Sequence, residues 1–135
     1  MGVKLEDNNR GNVKEFVVKD KGKDGKTKKV KTRPDSLGDN NSVVHDHKHF
    51  SKGDQYQDLD SQMRAQRKVA KDSNGTHVVT MSSSQPNLKG KPPKPRPSGP
   101  LAKDSDVYYT DKDGDVTHKW GKDKKTKEMG WQPVT

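Results

Sequence analysis

The chain contains no cysteine. Disulfides, thiolate metal sites and cysteine nucleophiles are therefore excluded. Aromatic residues are scarce, with two Phe, two Trp and three Tyr among 135 residues, and hydrophobic residues make up only 24% of the chain. Such a composition borders on the disordered class. Any core must be thin, and a bound metal or partner would contribute materially to folding. No apolar run approaches the roughly 20 residues needed to span a bilayer, so membrane insertion is not expected. The stretch Met1–Asp7 carries no apolar signal segment; for a secreted effector, delivery information would be expected elsewhere, on a larger parent chain. Acidic residues are outnumbered, 19 against 28 Lys and Arg, which leaves a formal charge of +9. That excess points to a polyanionic partner, either nucleic acid or an acidic protein.

What is present reads as one α/β (α+β) domain after a flexible lead-in over residues 1–12. Val13 to Val18 has strand character. The Asp24-Gly25 pair predicts a hairpin turn, with a return strand over Lys28 to Arg33. Val43 to Phe50 is a further strand. Asp58 to Lys71 has the phase of an amphipathic helix, with Leu59, Met63, Gln66 and Ala70 along one stripe. Asp58 or Asp60 is its N-cap, and Asn74-Gly75 its stop. Thr76 to Met81 is the next strand, and the helical crossover allows its flanking strands to run parallel. Ser82 to Pro100 is a Pro-rich basic arm, expected to be extended and without regular sheet or helix. Asp106 to Trp120 is a closing hairpin around Asp113-Gly114. The predicted architecture is a small mixed sheet with a central helix, plus that hairpin and a Pro-rich loop.

The chemistry concentrates between Thr32 and Phe50. Pro34-Asp35 precedes a polar turn, and the following strand ends in Asp46-His47-Lys48. Side chains alternate along a strand, so Asp46 and Lys48 share one face while His45, His47 and His49 share the other. Two carboxylates brought together on neighbouring strands can hold a hard divalent cation. A lysine beside them places positive charge near an attacking water and a developing phosphorane.

At these residues the chain resembles the PD-(D/E)XK nuclease superfamily, with the restriction-endonuclease-like core. Pro34-Asp35 matches the PD and Asp46-His47-Lys48 the D-X-K. The small, polar, basic chain also looks like the C-terminal toxin domains of bacterial polymorphic toxins. The resemblance implies a metal-dependent nuclease, with DNA preferred over RNA as substrate. Asp35 and Asp46 would bind Mg²⁺ or Mn²⁺, with Glu15 as a candidate third metal ligand. Lys48 would orient or activate water, and Gln62, or Gln66, would assist from the helix. Arg64, Arg67, Lys68 and Lys71 are the candidate nucleic-acid contacts. An acidic immunity protein would block the site in the producing cell, and the domain would act in the cytoplasm of a target cell after secretion.

Two other readings stay open at this point. The three histidines could bind a transition metal. The chain could also be a non-enzymatic basic protein, partly disordered, that binds nucleic acid or wraps an assembly.

Overall fold

The computed structural model describes residues 6–7, 15–21, 24–38, 42–51, 56–84, 93 and 95–134. Most of the expected lead-in, residues 22–23 of the first hairpin and much of the Pro-rich arm lie outside the described residues. In chain order the elements are β1 (Glu6–Asp7), β2 (Phe16–Lys21), β3 (Thr27–Thr32), β4 (Ser36–Leu37), β5 (Val43–Phe50), β6 (Tyr56–Gln57), α1 (Ser61–Asp72), β7 (Thr76–Ser83), β8 (Arg96–Pro97), α2 (Gly99–Asp104), β9 (Asp106–Thr110), β10 (Val116–Lys122) and β11 (Met129–Pro133). The class is mixed α+β, with sheet predominating over two helices.

Backbone contacts gather the chain into two units, Met1–Asp46 with Leu59–Val78, and His47–Asp58 with Val79–Thr135. The divisions fall within β5 and β7, so each of these strands serves both units.

In the first unit, β1, β4, β5 and β7 lie side by side in that order. β4 runs antiparallel to β5, with Ser36 opposite His45 and Leu37 opposite Val44. Thr76 donates its backbone N–H to Ser42, and Ser84 donates its own to Phe50. The offset in residue number is the same at both ends, so β5 and β7 run parallel, as the intervening helix requires. β2 and β3 form a separate antiparallel hairpin. Its inner row carries Phe16 and Val18, which pack against buried Leu37, Val44, Val69 and Ala70. Each fully buried aliphatic side chain stabilises by about 1.5–3 kcal/mol.

α1 starts where Asp60 accepts the Met63 N–H at 2.9 Å, and it buries Met63, Ala65, Gln66, Val69 and Ala70. It ends where Asn74 adopts φ 53° and Gly75 N–H reaches back to the Ala70 carbonyl, a left-handed stop.

In the second unit the neighbours are β5, β7, β9, β10 and β11. β9, β10 and β11 form an antiparallel meander with an irregularity between Val116 and His118. The DKDGD turn is a local one, since Asp111 Oδ1 accepts from the backbone of both Asp113 and Asp115. The expectation that Ser82 to Pro100 holds no regular structure is corrected. β7 continues through Ser83, β8 pairs in parallel with β6, and α2 begins with Pro100 in its first turn beneath the Ser98 cap. Proline is tolerated there because the N–H it lacks has no intrahelical partner in any case.

Candidate functional site

The site grows from the β4–β5 register. Ser36 pairs with His45, and Pro34, buried, turns the chain into β4. The pairing ends at Ser36–His45; Asp35 lies in the bend just before β4, and Asp46 follows His45 on β5. By alternation Asp46 shares a β5 row with Val44, which packs with Leu37, Val69 and Ala70.

Asp46 is 5% exposed and Asp35 half-buried. Removing a carboxylate from water costs several kcal/mol unless it is well compensated. Lys48, half-buried, follows on the same row of β5.

Two oxygen-donor side chains suit Mg²⁺ or Mn²⁺, because Mg²⁺ commonly takes one or two carboxylates and keeps several waters. Among the described residues no three His, Asp or Glu side chains converge as a metal-holding group. Glu15 therefore does not join Asp35 and Asp46. It is exposed and falls on the outer row of the hairpin with Val17, while Phe16 and Val18 turn inward.

The helix residues divide in a way the sequence did not indicate. Gln62 is exposed and spends its amide on the Lys31 carbonyl at 2.9 Å, tying α1 to β3. Gln66 is the inward glutamine, 2% exposed, with Oε1 3.3 Å from His77 Nε2. Burial, reinforced by the positive charge of Arg67 and by His45, pushes His77 down to about 4 from its ordinary 6.5. At neutral pH it is an uncharged imidazole that can donate to Gln66.

Of the four expected nucleic-acid contacts, Arg64 is already committed. It holds Asp20 with two bonds of 2.9 and 2.8 Å and also donates to the Leu59 carbonyl. Arg67 is half-buried, and Lys68 and Lys71 are exposed.

The opposite face of β5 carries the histidine row. His47 bridges Thr80 and Ser82 at 2.6 and 2.8 Å, and His49 bridges Ser82 and Ser84 at 2.8 and 2.9 Å. Hydroxyls can donate or accept, so this ladder persists in either tautomer. It is a polar zipper between parallel strands. The row occupies the face opposite Asp46, as the alternation predicts.

His77 was not singled out from sequence. Its one signal is its position inside THVVT, a strand without polar alternation, where a histidine has to be buried. No protein-family model matches the chain, and neither a curated protein nor a solved structure matches it.

Proposed function

We propose that this chain hydrolyses phosphodiester bonds of nucleic acid, with DNA as the preferred substrate, in the manner of PD-(D/E)XK enzymes. The observation that carries the reading is the pairing of β4, which Asp35 immediately precedes, with β5, which holds the buried Asp46. The parallel β5–α1–β7 crossover that follows the D-X-K strand supports it.

Asp35 and Asp46 would hold Mg²⁺ or Mn²⁺, whose chemistry there is to polarise the phosphate and acidify a bound water. Lys48 contributes a fixed positive charge beside that water and offsets charge that develops on the phosphate. Burial of Asp46 strengthens these interactions, because they act away from bulk solvent. The net charge of +9 draws the polyanion to the domain and makes its affinity salt-dependent. As the resemblance implies, the natural setting is a toxin domain delivered to the cytoplasm of another bacterium and held in check by an acidic immunity protein.

The test is incubation of the purified chain with plasmid DNA and with total RNA, in Mg²⁺, in Mn²⁺ and in EDTA. We expect metal-dependent degradation, DNA before RNA. Asp35→Ala, Asp46→Ala and Lys48→Ala should each lower it by roughly 10²–10³-fold with circular dichroism unchanged. Full activity in all three variants would overturn the assignment.

A further inference from the structure

The β2–β3 hairpin has two faces with opposite characters. In its register Phe16 opposes Thr32, Val18 opposes Val30 and Asp20 opposes Lys28. Those are the inner rows, and they include the one oppositely charged pair. The outer rows set Val17 opposite Lys31, Lys19 opposite Lys29 and Lys21 opposite Thr27. By alternation Glu15 and Arg33 continue those rows. Every one of these outer residues is exposed.

The outer face therefore carries Lys19, Lys21, Lys29, Lys31 and Arg33 against Glu15 at one end. Lys19 and Lys29 oppose each other directly, an arrangement that destabilises a strand pair. A surface that only needed solubility would interleave charges of both signs. Instead, the outer face holds one acid, Glu15, at its end, and Asp20 lies on the inner row, where it is taken by Arg64. A polyanion laid across the outer face would remove the Lys19–Lys29 repulsion. Residues two apart on a strand recur at roughly 6.6 Å, so Lys29, Lys31 and Arg33 form an extended cationic row and not a point-like pocket. A flexible phosphodiester backbone fits such a row.

We propose that the outer face of the β2–β3 hairpin is the docking surface for the nucleic-acid backbone, in place of the helix face that the sequence suggested. This names the substrate-holding element of the nuclease read above. It rests on that reading for the identity of the polyanion but not on the metal chemistry.

The experiment is fluorescence anisotropy of labelled single-stranded and duplex DNA of mixed sequence. EDTA is present throughout, so that binding is read without turnover. Salt is varied between about 50 and 200 mM. Wild type is compared with Lys19→Gln/Lys29→Gln/Lys31→Gln and with Lys68→Gln/Lys71→Gln, and a polyglutamate peptide serves as competitor.

The hairpin variant should lose about two units or more of the slope of log affinity against log salt, at about 0.7–0.9 per phosphate contact released. Its melting temperature should hold or rise, because the opposed lysines are gone. The helix variant should lose less. An unchanged slope in the hairpin variant, or a larger loss in the helix variant, overturns the docking surface while leaving the nuclease reading intact. Failure of wild type to bind either DNA overturns the docking surface, whereas the nuclease reading stands or falls with the metal-containing degradation assay. Polyglutamate that displaces DNA with no preference for the nucleic acid also overturns the proposal, in favour of an acidic protein partner.

Discussion

The hairpins β2–β3 and β10–β11 use the same antiparallel pairing, yet different side chains hold them. The first depends on a row of modest side chains, Phe16 and Val18, half-buried against an aliphatic cluster under α1. The second depends on aromatic rings. Trp120 lies directly opposite Trp131, with ring centroids 5.1 Å apart and nearly perpendicular. Tyr109 adds a second edge contact at 5.6 Å. The Trp131 indole N–H is also satisfied, donating to the Pro95 carbonyl at 2.7 Å. A chain with so few apolar residues can secure a hairpin either by sharing a helix-covered cluster or by spending its few large rings on it. Two tryptophans bury as much apolar surface as several aliphatic residues and add ring–ring attraction.

The comparison is open to a direct break. Trp131→Ala should cost about 3–5 kcal/mol and Phe16→Ala about half as much, because Phe16 is only half-buried; urea melts of the two variants measure both. Equal losses would mean that the hairpins are held alike.

Acid sharpens the contrast next. His77 titrates near 4 in the fold, and 6.5 is its ordinary value. The unfolded chain therefore takes up the proton first as pH falls. Stability should decline from about pH 6.5 down to pH 4 and level off below, by roughly 3 kcal/mol from this residue. His77→Gln should flatten that interval of the stability–pH curve, whatever its effect at neutral pH. His118, whose ring lies edge-on to Tyr109 in the second unit, is lowered by burial alone, so His118→Gln should flatten it less.

A smaller effect belongs to Asp20. The Arg64 hydrogen bond, with its charge, holds the carboxyl below its usual range against some opposing burial. A depressed carboxylate stabilises above its unfolded value, and that contribution fades as pH falls through the folded one. Asp20→Asn should lose under about 1 kcal/mol at neutral pH, since the arginine is well exposed. In the variant the acid-dependent loss from this residue should vanish from the same titration. Smallest of all, Lys29→Thr should gain a few tenths of a kcal/mol by removing the cation opposite Lys19, read as a rise in the urea midpoint.

Some of this was legible in the residues. Asp-Gly turns predict the β2–β3 and β9–β10 pairs but not the β10–β11 hairpin, and strand β5 has the bounds its composition suggests, Val43–Phe50. Asp60 caps α1, and Asn74-Gly75 ends it. Alternation assigns the histidines to the face opposite Asp46. The fate of the remaining site candidates was not legible. Phe16-Val17-Val18 is apolar throughout, so the pattern does not say which parity turns inward, and the face of Glu15 depends on it. Gln62 and Gln66 are both compatible with the helix stripe, and only packing decides that Gln66 is buried. Arg64 reads as a free basic side chain until Asp20 of β2 is folded against it. The Pro-rich arm looks incapable of regular structure, but parallel pairing with β6 and the Ser98 cap make two short elements within it.

By itself the sequence determined the bounds of β5, the cap and stop of α1, how side chains alternate along β5, and the positive net charge. These depend on neighbours within a few residues, through caps, turns and period. Tertiary structure alone decided the pairing of β4 with β5, the pairing of Arg64 with Asp20, and the depressed histidine beneath α1. Each of these joins residues far apart in the chain, and its energy comes from burial and through-space charge, which no local window of sequence contains.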